Sequence, residues 1–126
     1  MSPRRKLDRD TVLSGRPEQA PAVRREERPN GGVKVTFRRV RRRWLGWFGG
    51  ESEVERSFGL DVLGREVYEF CDGKSDVGAI VRKFANKHRV SRAEAELAVT
   101  TFLKTMMTKG LIVMAIDKDR VQRKRN

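Results

Sequence analysis

The sequence predicts an α+β fold, a small antiparallel β-sheet of three strands followed by three α-helices. Val33, Val35 and Phe37 alternate with Lys34, Thr36 and Arg38, the period of a half-buried strand. Between residues 61 and 110 the apolar positions switch to helical spacing, in three runs that each carry their own start and stop residues.

The first strand is expected from Val33. Its apolar phase slips after Phe37, because Val40 and Trp44 fall on even positions, so a bulge or turn near Arg38-Arg39 is expected. A second strand then covers Val40 to Trp47, Gly49-Gly50 turns the chain, and a third strand carries Val54, Phe58 and Leu60 on one face. A short loop at Phe48-Gly49-Gly50 sets Val40 against Phe58, Trp44 against Val54 and Arg43 against Glu55, all favourable pairs. The same register sets Arg42 against Arg56, which is unfavourable.

The first helix is expected over Val62 to Cys71. Asp61 caps it, Leu63, Val67, Phe70 and Cys71 share one face, and Asp72-Gly73 stops it. The second follows Ser75 or Asp76 and buries Val77, Ile80, Val81 and Phe84. The third opens with the capping box Ser91-Arg92-Ala93-Glu94, lines its core face with Ala95, Val99, Phe102, Leu103 and Met106, and ends at Gly110. Leu111 to Ile116 reads as a short strand or extended segment.

Three segments result: a disordered N-terminal arm over 1–32, a domain over 33–116, and a basic C-terminal tail over 117–126. The arm holds all four prolines and few large apolar residues, too little to offset its chain entropy. A chain of 126 residues supports one modest core.

The net charge of +12 is unevenly spread. Residues 33–50 carry six basic and no acidic side chains, whereas residues 51–116 carry ten of each. The helical part is therefore neutral. Clustered arginines beside aromatics, here Arg39, Arg41, Arg42, Arg43 and Trp47, can hold phosphates and stack bases, so nucleic-acid binding is one candidate function. An acidic partner or an anionic membrane surface would suit the same residues. The bland reading is a strand whose arginines face water or Glu53 and Glu55. The third helix carries Arg92, Lys104 and Lys109 against Glu94 and Glu96, which equips it poorly for the groove of DNA.

No acid/base pair, metal set or phosphate loop is present, so no catalytic residue, cofactor or metal is expected. One histidine and one cysteine cannot make a structural zinc site. The lone Cys71 fits a reducing compartment and reads as a buried small residue rather than a nucleophile. No apolar run approaches a membrane span, and the N-terminus lacks a signal-peptide pattern, so a cytoplasmic location is expected. Strand edges leave monomer and homodimer both open.

The order of strands and helices is that of a winged-helix-like domain. Leu60-Asp61, Gly64-Arg65-Glu66-Val67, Cys71-Asp72-Gly73-Lys74, the spacing Val77/Ile80/Val81, and Phe102-Leu103 through Gly110-Leu111-Ile112 together resemble the PqqD family of pyrroloquinoline quinone biosynthesis, whose domain is also called the RiPP recognition element. Better-known members tend to carry Leu-Asn where Leu60-Asp61 stands, and the Arg41–Trp47 stretch and the arm lie outside the pattern. The resemblance implies a non-catalytic chaperone. The leader of a ribosomally made precursor peptide would add as a strand to the sheet edge, between the third strand and third helix, for presentation to a radical-SAM or other modifying enzyme. On this chain the implied edge is Glu53, Val54, Glu55, Arg56, Ser57, Phe58 and Leu60. On the facing helix, Leu97, Thr101, Lys104 and Thr108 form a row at i, i+4, i+7 and i+11 that would line the groove. The alternative for Leu97 is an ordinary exposed leucine.

Overall fold

A computed structural model of the chain describes residues 9–42 and 51–115, with the side chains of 39–42 and 51–53 outside the description. In chain order the elements are α1 (Arg9–Ser14), β1 (Arg16–Gln19), β2 (Arg24–Glu27), β3 (Val33–Arg42), β4 (Glu51–Leu60), α2 (Val62–Phe70), α3 (Val77–His88), α4 (Arg92–Thr108) and β5 (Ile112–Ala115). The fold is α+β, with two small antiparallel sheets, β1-β5 and β2-β3-β4. The chain divides into two compact units, Met1–Ala20 with Val67–Asn126, and Pro21–Glu66.

In the unit of residues 21–66, β3 is the central strand. Its ladder with β4 runs from Val33 opposite Leu60 to Arg42 opposite Glu51. Several expectations fail here. β3 continues unbroken through Arg42, so neither the bulge or turn at Arg38-Arg39 nor a separate strand from Val40 exists. The third strand of the sheet is β2, which pairs with β3 from Arg24 opposite Thr36 to Glu27 opposite Val33. Phe58 faces Val35 instead of Val40, Val54 faces Arg39 instead of Trp44, and Glu55 faces Arg38 instead of Arg43. Arg56 lies opposite Phe37, so the like-charge pair with Arg42 is avoided. The expected turn at Gly49-Gly50 and residues Arg43, Trp44 and Trp47 lie outside the described residues.

Alternation along β3 buries Val33, Val35 and Phe37. Phe37 meets Phe58 with ring centroids 6.3 Å apart. On the opposite face the buried Thr36 hydroxyl is satisfied by Ser57 at 2.8 Å. Arg65 anchors the start of α2 by donating to the Glu27 carboxylate at 2.7 Å and the Gly31 carbonyl at 3.2 Å.

The other unit holds the helical core. The expected apolar faces of α3 and α4 are largely observed: Val77, Ile80, Val81 and Phe84 are buried on α3, and Ala95, Val99, Leu103 and Met106 on α4, with Phe102 half-buried. On α2 Val67 is buried as expected, and so is Cys71, which lies one residue past the helix end. Tyr68 takes a core place that the pattern had left to others, Phe70 is half-buried, and Leu63 is exposed.

Asp61 and Ser91 cap their helices as expected, and of Ser75 and Asp76 it is Asp76 that caps α3. Asp61 Oδ1 accepts from the Gly64 N–H at 2.7 Å, Asp76 Oδ1 from Ala79 at 2.7 Å, and Ser91 Oγ from Glu94 at 3.1 Å. α4 ends in a Schellman motif: the Leu111 N–H reaches the Met106 carbonyl at 2.8 Å and the Gly110 N–H reaches Met107 at 3.0 Å, with Gly110 at φ +77°.

The largest departure is the arm. Disorder is expected over 1–32, yet residues 9–27 form α1, β1 and β2. β1 is held on both sides. It pairs with β5 from Arg16 opposite Ala115 to Gln19 opposite Ile112. On its other side the Gly73 N–H donates to the Pro17 carbonyl at 2.9 Å, and the Gln19 N–H donates to the Cys71 carbonyl at 3.2 Å. Composition argues against order in a segment that must supply its own apolar surface. A strand inserted between ready-made partners is held largely by backbone bonds instead.

Candidate functional site

β4 is an edge. Its inner side is bonded to β3 throughout, and among the described residues no strand lies on its outer side. An unpaired strand edge presents a row of backbone donors and acceptors and is a template for an added strand. Of the seven positions expected there, Val54, Phe58 and Leu60 are half-buried, and Glu55, Arg56 and Ser57 are exposed. Glu53 lies opposite Val40 in the ladder. Glu55 is met by Arg24 of β2 at 3.1 Å and Arg38 of β3 at 3.8 Å. Arg39, Arg41 and Arg42 lie in β3 opposite Val54, Ser52 and Glu51.

The four expected helix residues lie in the other unit, on the outward side of α4. Leu97 is 70% exposed, and Thr101, Lys104 and Thr108 are exposed as well. At ~100° per residue this row is turned well away from Ala95, Val99, Leu103 and Met106. The hydroxyls of Thr101 and Thr108 donate to the carbonyls of Leu97 and Lys104 at 2.7 and 2.9 Å. Their methyl groups and the Leu97 side chain therefore give the row an apolar character, with Lys104 its one charge.

Sequence reasoning missed a cleft in this unit. Val12 of α1, Val77 of α3, Leu103 and Met107 of α4, and Met114 of β5 line an open apolar groove with room of about 300 Å³, with Lys104 and Thr108 also lining it. No periodicity marks such a site, because its walls come from four separate elements. Exposed Met107, off the core stripe of α4, was the one available signal.

The Cys71-Asp72-Gly73 turn is scaffold. The Cys71 thiol is buried, donates to the Val67 carbonyl at 3.2 Å, and has its pKa pushed up to about 12, first by burial and then by the charge of Asp72. Such a thiol is a poor nucleophile at neutral pH. The Asp72 carboxylate accepts the N–H groups of Ser75 and Lys74, each at 2.8 Å, and these bonds hold its pKa below the usual carboxylate range. Among the described residues, no group of three or more His, Cys, Asp or Glu side chains could hold a metal ion, and no helix is long and apolar enough to cross a membrane.

An edge strand followed by a capped three-helix unit, with its one cysteine buried in a structural turn, has the make-up of a binding module. The comparisons with known proteins agree with this class. The family model described as Coenzyme PQQ synthesis protein D (PqqD) matches residues 51–112, from the first residue of β4 to the first residue of β5. A protein named PqqA binding protein from Rhodopseudomonas palustris (strain HaA2) is 31% identical over 86 residues, 68% of this chain and 79% of that protein. One of the same name from strain BisB5 is 30% identical over 83 residues, 66% of this chain and 76% of that protein. No solved structure matches the chain. The chain belongs to the PqqD family.

Proposed function

We propose that this protein is a non-catalytic chaperone for a ribosomally made precursor peptide. The leader of that peptide adds as a strand to the outer edge of β4 over Glu53, Val54, Glu55, Arg56, Ser57, Phe58 and Leu60. A second contact surface is the α4 row Leu97, Thr101, Lys104 and Thr108. The observation that carries the reading is the ten-residue edge of β4, which lies wholly inside the family match. The name of the relatives, PqqA binding protein, supports a precursor peptide as the partner.

Strand addition suits this edge physically. Backbone bonds to β4 supply affinity, and the half-buried Val54, Phe58 and Leu60 lie on one face to read alternate side chains of the added strand. The bound leader is then handed to a modifying enzyme of the radical-SAM type, in a cytoplasmic setting. No observation favours the nucleic-acid alternative.

The test is titration of the isotope-labelled full chain with the PqqA peptide for which the relatives are named. Amide signals of residues 53–60 should move most, with a second group between Leu97 and Thr108. A peptide that binds while leaving residues 53–60 unmoved would sink strand addition.

A further inference from the structure

The cleft of the helical unit shares Lys104 and Thr108 with the α4 row, and the rest of its lining is mostly apolar. It is open to solvent on one side, with room of about 300 Å³, and Val12, Val77, Leu103, Met107 and Met114 form its apolar walls. A dry apolar cavity of ~150 Å³ already accepts benzene, so the space suits a leucine or phenylalanine side chain. The two methionines can adjust to either shape.

One wall is supplied by α1, which is fixed in place. Arg9 grips the Glu96 carboxylate with its shortest contact at 2.6 Å, and the Gly15 carbonyl accepts the Val77 N–H at 2.9 Å. The cleft is therefore part of the fold rather than a gap left by a loose arm.

Its polar groups are few. The Thr100 hydroxyl donates to the Glu96 carbonyl at 2.6 Å, and that of Thr108 to the Lys104 carbonyl at 2.9 Å, so both donors are used within α4. Lys104 is the one charged residue among those lining the cleft. Its side chain is exposed, and no described carboxylate pairs with it, Glu96 being taken by Arg9. An apolar well with one unpaired cation at its mouth is complementary to an apolar side chain next to a carboxylate.

We propose that this cleft receives a leucine- or phenylalanine-sized side chain of the bound peptide, while an adjacent peptide carboxylate pairs with Lys104. The inference rests on the peptide-binding reading and adds the residue chemistry that the partner must carry.

The experiment uses the full chain labelled at the methionine methyl groups and three short probes, acetyl-Leu-Glu-amide, acetyl-Leu-Gln-amide and acetyl-Ala-Glu-amide. Acetyl-Leu-Glu-amide should shift the Met107 and Met114 signals and leave the core residue Met106 unmoved. The Gln probe should bind about threefold more weakly, as expected for a partly exposed ion pair, and Lys104→Gln should erase that difference. Val12→Trp and Met114→Trp, two independent ways of filling the cleft, should each abolish the response.

Silence of Met107 and Met114 at about 10 mM probe, where even millimolar binding registers, overturns the inference. So does an equal response to the Ala probe, or a preference for Glu that survives Lys104→Gln. The outcome is separable from the fate of strand addition. A methionine response to acetyl-Leu-Glu-amide supports the cleft even if the PqqA peptide leaves β4 unmoved. A β4 response to that peptide with silent methionines removes the cleft and leaves strand addition standing.

Discussion

The Gly73 N–H donates to the Pro17 carbonyl at 2.9 Å, joining the turn after α2 to a strand that lies more than fifty residues earlier in the sequence. Gly73 sits at φ +78°, and a Cβ there would lie 3.1 Å from the Glu18 side chain. Gly73→Ala combines left-handed strain with a close approach to a flexible side chain that can move aside. The expected loss is about 1–2 kcal/mol, most of it from the backbone. A urea titration checks this, and an unchanged midpoint would mean that the turn relaxes freely.

Deleting residues 1–20 should cost more. It removes β1 and with it the buried Pro17, the four-residue pairing with β5, and the Gln19 side-chain bond to the Tyr68 carbonyl at 2.9 Å. Several backbone groups and the apolar side chains of Leu111 and Ile112 lose cover, so a loss of at least about 2 kcal/mol is expected. Thermal melts of the full and shortened chains measure it. Equal melting temperatures would show that β1 contributes nothing to the fold.

Cys71 gives an alkaline signature. Its folded pKa, raised to about 12, stands above the unfolded thiol value of ~8.5. The stability it contributes is full below ~8.5 and is lost as the pH rises from there toward 12, because the unfolded chain releases the proton first. Cys71→Ala should flatten this part of the stability–pH curve, as read by chemical denaturation between pH 8 and 10. At neutral pH a thiol reagent should label Cys71 only at the rate of opening. Rapid native labelling would contradict its burial.

The helix caps offer paired substitutions at separate sites. Asp76→Ala frees the Ala79 N–H and Ser91→Ala frees that of Glu94, each expected to cost ~1 kcal/mol. Because the two caps bond different helices, the double variant should lose about the sum, within ~0.5 kcal/mol. Urea denaturation of the three variants is the measurement.

The helices were legible because their signals are local. Asp61, Asp76 and Ser91 each cap the helix they precede, and the apolar stripes of α3 and α4 lie within single turns of one another. β1 was not legible. Arg16-Pro17-Glu18-Gln19 has no apolar alternation, and what orders it lies in β5 and in the turn at Cys71–Gly73. The β3 misreading has a different cause. Val40 breaks the apolar phase of Val33, Val35 and Phe37, but its backbone pairs with Glu53 without interruption, so the slip in side-chain pattern did not mark a slip in the chain. At the candidate site, β4 was readable from its own alternation. The cleft was not, since Val12, Val77, Leu103 and Met114 meet only after α1, α3, α4 and β5 have assembled.

The pairing of β1 with β5 also orders events in time. Arg16 and Ala115 are joined across nearly the whole described chain, so β1 should be among the last elements to find its place. Until β5 has been synthesised, β1 has only the turn at Cys71–Gly73 as a partner, and the helices that form that scaffold must assemble ahead of it. Pulse-labelled hydrogen exchange during refolding should show α3 and α4 protected before the amides of 16–19. In this fold a strand from near the start of the described chain closes against one at its end.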